Sequence, residues 1–232
     1  MIRLDQVSVR VDVPGNSVGP KTLLEGIDLN LAEARIGVIG LNGSGKSTLL
    51  RLFNGLILPT GGRVEVDGLD TKTQGRKVRA RVGFAFTDPL SQLVMSTPVD
   101  DVELSLRSRI TDRRARRQRA VELLTERGLG ALAEQSIYDL SGGERQLVAL
   151  VSLLAVEPSV LVADEPTTLL DLRNREVVRE VLRGLDQQVI VATHDLELVA
   201  DFDRVLVIDA GRVVADGSPE TTIAAYRTLV HG

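Results

Sequence analysis

Eight residues, Gly40-Leu41-Asn42-Gly43-Ser44-Gly45-Lys46-Ser47, constrain this chain more than any other stretch. They fit the pattern G-x-x-x-x-G-K-[ST] and stand between an apolar, β-branched run, Ile36 to Ile39, and a helical stretch, Lys46 to Asn54, that stops at Gly55 and Pro59. A strand, a glycine-rich turn and a helix in that order form one unit of a parallel α/β sheet. The glycines let the turn curl until successive amides point inward as an anion nest, and the helix adds the positive end of its dipole. The backbone from Gly40 to Thr48 then wraps a nucleotide, Lys46 reaches its β- and γ-phosphates, and the Ser47 hydroxyl is placed for Mg²⁺.

Other short apolar runs also read as strands. Val7 to Val11, Val160 to Ala163, Val189 to Ala192 and Val205 to Ile208 are each too short for a helix. Those beginning at 36, 160 and 189 lack polar alternation, as parallel strands covered on both faces do. Val64 to Gly68 and Val205 to Val214, the second broken by Ala210-Gly211, read as antiparallel hairpins of a side sheet. From Asp100 to about Gln135 the pattern is helical and rich in arginine, which suggests an inserted helical subdomain. The expected architecture is one α/β domain with a RecA-like, mostly parallel sheet, an antiparallel side sheet and that insertion. The α/β core takes about 1–88 and 155–215, the helical part about 89–154, and 216–232 forms a C-terminal tail.

Composition excludes several classes of function. The chain has 232 residues, 28 Lys+Arg against 32 Asp+Glu and a formal charge of −4, so no general field for nucleic acid is expected. It has no cysteine, which removes disulfides, thiolate metal sites and thiol catalysis. No apolar run approaches the roughly 18 residues needed to cross a bilayer, and Met1-Ile2-Arg3-Leu4-Asp5 is no charged-then-apolar leader. The expectation is a chain neither exported nor membrane-spanning. Arg107, Arg109, Arg113, Arg114, Arg116, Arg117 and Arg119 form a basic run. A solvated helix face explains it best, ahead of contact with lipid headgroups or a membrane partner.

Three further motifs narrow the chemistry. Val160-Leu161-Val162-Ala163-Asp164-Glu165 is an apolar strand that ends in two carboxylates. There Asp164 can coordinate Mg²⁺, mostly through water, and Glu165 can polarise an attacking water as general base. His194 follows the run Val189 to Ala192, at the sheet edge where ligand groups gather, although a lone His at a strand end is more often structural. Leu140-Ser141-Gly142-Gly143-Glu144 places a hydroxyl and glycine amides at the start of a helix, Glu144 to Leu154, and so offers a second anion site. One triphosphate does not need two such sites in one chain. Ser141 and Gly143 are therefore expected to cap the γ-phosphate held by another subunit, with ATP sandwiched in a dimer.

The loop, the 140–144 signature, Asp164-Glu165 and His194, in this order and at these separations, closely resemble ATP-binding-cassette ATPases over essentially the whole chain. The resemblance makes His194 a γ-phosphate contact and Asp171, in Thr167-Thr168-Leu169-Leu170-Asp171, part of a dimer-contact loop. It implies a homodimer or heterodimer that closes on ATP and opens after hydrolysis. Asp67-Gly68-Leu69-Asp70-Thr71, Val82 to Phe86 with Asp88-Pro89 and Gln92, and Asp101-Val102 are similar to the ATPases of energy-coupling-factor (ECF) vitamin importers. Arg35 to Gly40 and Glu165 to Asn174 are most similar to those that serve biotin uptake. Kinship of this kind implies a transmembrane coupling protein and a membrane substrate-binding protein as partners, a peripheral position on the cytoplasmic face, and biotin as cargo ahead of cobalt, nickel or another vitamin.

Three positions depart from the family. Thr87 stands after Phe86, where relatives carry a glutamine that touches Mg²⁺ and the water, and Gln92 occupies the second family position. A shorter side chain there suggests slower hydrolysis or coupling. Comparing ATPase and vesicle transport rates of Thr87→Gln with the unmodified complex tests this, and identical rates would reject it. Val11 replaces an aromatic that stacks on adenine, and Leu147 replaces a frequent Arg, as it does in the biotin-type relatives. Two other classes compete: a soluble cassette ATPase on DNA or ribosomes, which usually carries coiled-coil insertions or tandem cassettes, and a P-loop kinase, which has no use for residues 140–144.

Overall fold

The computed structural model describes residues 1–12, 19–168 and 170–231. Leu169, part of the expected dimer-contact loop, lies outside them. Among the described residues, ten strands form two sheets. The larger has β3 (Arg35–Ile39) at its centre, flanked by β8 (Gln188–Ala192), β7 (Val160–Asp164) and β6 (Val82–Ala85) on one side and by β9 (Arg204–Asp209) and β10 (Arg212–Gly217) on the other. All neighbours pair in parallel except β9 and β10. The smaller sheet is antiparallel, with the order β2 (Lys21–Leu31), β1 (Ile2–Val11), β4 (Gly61–Val66) and β5 (Leu69–Asp70).

Unbroken apolar runs form the central strands because each strand feeds two cores. Side chains alternate faces along a strand. Val160, Val162, Ile190, Ala192, Leu206 and Ile208 join Leu49, Leu50 and Phe53 of α1 (Lys46–Phe53) and the apolar face of the antiparallel sheet. Their neighbours Leu161, Ala163, Val189, Val191, Val205 and Val207 pack on the opposite face. That second core continues without a break into the helical part, through α3 (Pro98–Leu106), α4 (Arg113–Glu126) and α5 (Gly142–Leu154).

The hairpin of β9 and β10 turns at Ala210 and Gly211, both at positive φ, as the sequence suggested, but it belongs to the main sheet. β9 pairs in parallel with β3, an edge that a local hairpin signal cannot specify. Its turn also touches the glycine-rich loop and the smaller sheet: the Gly211 amide donates to the Ser44 carbonyl at 2.8 Å, and its carbonyl accepts from the Glu25 amide at 2.9 Å. The stretch 216–232, read as a tail, contains α7 (Pro219–His231), which packs on β9 and β10. α5 starts at Gly142, two residues ahead of the expected Glu144.

The basic run is largely paired within the helical part. Arg116 bonds Glu103 at 3.0 Å, Arg117 reaches Asp100 at 2.8 Å and Glu134 at 2.7 Å, and Arg119 reaches Glu126 at 2.9 Å. Holding Asp100 between the Thr97 hydroxyl and Arg117 lowers its pKa. The α2 helix (Gly75–Arg79) and α6 (Leu172–Arg183) complete the set.

Candidate active site

Residues 40–47 leave β3 and enter α1 by a path open only to glycine at two points. At Gly40, with φ 153°, a Cβ would fall 2.2 Å from the Ile208 carbonyl oxygen; at Gly45, with φ 116°, it would fall 2.9 Å from Leu24 Cδ2. Gly45 caps α1 with no side-chain hydrogen bond, and no acidic residue occupies the first turn. The N-terminal amides of α1 therefore face a position that nothing on their own helix neutralises.

Lys46 is buried beside this turn and donates to the carbonyls of Gly40 at 2.8 Å and Leu41 at 3.1 Å. Burial lowers its pKa, opposed by the carboxylates of Glu165 and Asp164. Ser47, one residue on, donates to Asp164 Oδ1 at 2.9 Å across 117 residues of chain. Asp164 ends β7 and is 3% exposed, and that burial pushes its pKa up. A hydroxyl and a carboxylate in contact present two hard oxygens, a donor set suited to a small divalent cation that keeps water among its other ligands.

Glu165 has φ 53°, a left-handed conformation that costs a non-glycine residue about 1–2 kcal/mol. Its amide donates to the Ala192 carbonyl at 2.8 Å, which ties the strained residue to β8. Its carboxylate is held through Oε2 alone among the described residues: by the Thr168 hydroxyl at 3.2 Å, the His194 amide at 3.4 Å, the Thr193 hydroxyl at 3.5 Å and His194 Nδ1 at 2.7 Å. Oε1 is left to accept from a water. The pair is asymmetric in exposure, 15% for the Glu165 side chain and 59% for His194.

The start of the loop and the Glu165–His194 pair meet at a cavity of about 350 Å³, walled by Gly40, Leu41, Asn42, Thr87, Glu165, Thr168, His194 and Tyr226, while Lys46, Ser47 and Asp164 are not among its walls. Thr87 donates its hydroxyl to the backbone carbonyl of Asp164 at 2.9 Å. Gln92 lies elsewhere: its amide donates to the Ala149 carbonyl on α5 at 2.8 Å, and it is not among the cavity walls. Sequence reasoning missed Thr168, Thr193 and Tyr226. Thr168 lies within a recognised stretch and Thr193 directly adjoins one, whereas Tyr226 lies on the helix taken for a tail.

The 140–144 segment is built differently. Leu140 is buried, and Ser141 caps α5 through a reciprocal box: its hydroxyl accepts from the Glu144 amide at 3.3 Å, and the Glu144 carboxylate accepts from the Ser141 amide at 2.7 Å. The bonds from Ser141 lower the Glu144 pKa. Gly143 lies against Asn174, and a Cβ there would fall 2.3 Å from Asn174 Cγ. Asn174 in turn is held by Asp171, the cap of α6, which accepts from its amide at 2.8 Å and from its side-chain Nδ2 at 3.1 Å. Within one chain the structure thus brings residues 140–144 beside Asp171, but none of the five lines the cavity at the phosphate loop. Val11, at the end of β1, is exposed opposite Lys21.

Comparison with known proteins fits this geometry. The pattern of the ABC transporter family matches residues 24–168. The biotin transport ATP-binding protein BioM of Rhizobium etli is 44% identical, over 96% of this chain and 99% of its own. The energy-coupling factor transporter ATP-binding protein EcfA1 of Halalkalibacterium halodurans is 39% identical over 93% of this chain and 78% of its own. Among solved structures, the dimeric post-hydrolysis ATP-binding cassette MJ0796 bound to ADP and Pi superposes with a TM-score of 0.85 at 29% identity, covering 94% of this chain and 99% of that one. The cbiO1 protein of Clostridium perfringens, part of the cbiONQ transporter complex, gives a TM-score of 0.81 at 29% identity, covering 99% and 92%. A cassette fold with a phosphate loop, a buried metal-type carboxylate and a Glu–His pair on adjacent strand ends, matched along nearly its full length by such relatives, makes this chain a member of the ABC transporter family and an ATPase of its transport machinery.

Proposed function

We propose that the chain is the ATP-hydrolysing subunit of an ECF-type vitamin importer, with biotin as the cargo, working as a dimer beneath a transmembrane coupling protein and a membrane substrate-binding protein. The carrying observation is the contact of Glu165 Oε2 with His194 Nδ1 at 2.7 Å, beside the loop that holds Lys46. Full-length similarity to BioM of Rhizobium etli supports the cargo.

ATP sits with its phosphates on the α1 amides. Lys46 exchanges the carbonyls of Gly40 and Leu41 for the β- and γ-phosphates. Ser47 and Asp164 would hold Mg²⁺, which supplies charge neutralisation at the phosphate oxygens. Glu165 accepts the water's proton at Oε1, while His194, through the bond to Oε2, fixes the carboxylate and presents its exposed ring toward the γ-phosphate. Removing the Glu165 carboxylate should lower hydrolysis by about 10²- to 10⁴-fold. Ser141 and Gly143 complete the site of the opposite subunit, and Asp171 sits at the same contact. Since the described residues include no helix long and apolar enough to cross a membrane, attachment at the cytoplasmic face would be peripheral, through partners.

The test is affinity purification from the native membrane. Two co-purifying integral proteins, one of which binds biotin, support the proposal; a ribosome or DNA partner would sink it. A pair that instead carries cobalt, nickel or another vitamin would keep the motor and replace the cargo.

A further inference from the structure

α7 contributes two consecutive residues to two cavities. Tyr226 lines the cavity of about 350 Å³ that contains Glu165 and Thr87, and Arg227 lines an adjoining cavity of about 510 Å³. His194 is the residue that borders both. Successive helix positions lie about 100° apart around the axis, so one turn of α7 helps to wall both cavities that the imidazole borders. α7 is anchored for this: it packs on β9 and β10, and Tyr226 itself is half-buried against the core beneath the main sheet.

The His194 ring needs such a wall. At 59% exposure, the ring is held among the described residues by its contact with Glu165. A carboxylate that must accept a proton during hydrolysis holds the ring least firmly at that moment. Tyr226 is the residue from the C-terminal helix that lines the same cavity, and it carries a hydroxyl that can donate to an anion or water there. Burial raises the phenol's pKa further above neutrality.

We propose that Tyr226 is a further positioning residue of the hydrolytic site, keeping His194 in place and giving the γ-phosphate side of the cavity a hydroxyl donor. This rests on the roles given to Glu165 and His194 above.

The chain supplies its own probe, having two tyrosines and no tryptophan. Tyr138 is 72% exposed, and Tyr138→Phe leaves Tyr226 as the sole tyrosine reporter. Two measurements are made with Glu165→Gln as the reference. In Tyr226→Phe, loss of the hydroxyl donor from the cavity should lower kcat about 3- to 10-fold with KM for ATP unchanged and no loss of thermal stability. In Tyr138→Phe, MgATP should change the tyrosine emission. If Glu165→Gln abolishes hydrolysis while Tyr226→Phe keeps full kcat, or loses kcat only together with Tm, or if the Tyr138→Phe emission ignores MgATP, the role of Tyr226 is overturned and the site reading stands. If Glu165→Gln hydrolyses normally, the site reading itself fails.

Discussion

Two glycine-rich helix starts dominate this molecule, and they are finished in opposite ways. At α1 the cap is Gly45, no side chain closes it and no acid sits in the first turn. At α5 the cap is Ser141, closed by Glu144, whose carboxylate occupies the positive end of the helix. Both positions look like anion sites in the sequence. Only the first is left open by its own chain. The second is already satisfied, and its glycine is pressed against Asn174 beside Asp171. The open start at residues 40–47 can receive an anion within a single chain, whereas the role proposed for residues 140–144 requires the nucleotide of another subunit.

The comparison can be broken most severely at the open loop. Lys46→Ala removes the buried cation and should weaken ATP binding by about a hundredfold, read by equilibrium binding to the isolated chain. Near-normal affinity would show that the α1 amides suffice. At the closed start, Gly143→Ala drives a Cβ to 2.3 Å from Asn174 Cγ, which must displace Asn174 and with it the Asp171 contact. Hydrolysis should fall about tenfold or more, as misplacement near 1 Å does, while ATP binding to the single chain stays unchanged. A parallel loss of binding would mean that the two segments share one site within the chain.

Smaller effects sharpen the contrast. Asp164 is buried and its pKa is raised, so the folded chain holds a proton there more tightly than the unfolded chain, and stability falls as pH rises past the unfolded value. Asp164→Asn removes this cost. Calorimetry at neutral pH should show Tm rising as hydrolysis is lost. An unchanged or lower Tm would indicate that the bond from Ser47 outweighs burial. Glu144 carries the opposite sign. Its pKa is lowered, so its contribution is complete above the unfolded carboxylate value of about 4.3 and is lost as pH falls toward the folded one. Hydrogen exchange between pH 5 and about 3 should show α5 fraying at its start while α1, with no such carboxylate, does not.

The legible parts of the molecule were those that a local pattern determines. β3, β7 and β8 could be read because strands covered on both faces leave unbroken apolar runs, and α1 because a glycine turn precedes it and Gly55 follows it. β2 left no such trace. Its burial alternates, its polar residues face out, and Gly26 at φ 58° interrupts the register. β9 was assigned to the wrong sheet because its partner, β3, is about 168 residues away in sequence, and turn chemistry says nothing about distant edges. Within the site, residue types announced Lys46, Asp164 and Glu165. The contact of Glu165 with His194, the Thr87 bond to the Asp164 carbonyl and the arrival of Tyr226 follow only from how β6, β7, β8 and α7 assemble.

The account rests on the claim that residues 40–47 of one subunit and 140–144 of another complete a single ATP site. Light scattering of Glu165→Gln, with and without MgATP, tests it directly, using Gly143→Asp in the same background as control. The account predicts that ATP doubles the particle from one chain to two, and that Gly143→Asp prevents this while ATP still binds. Particles that remain single chains with ATP bound, or that pair equally well with Gly143→Asp, would contradict it.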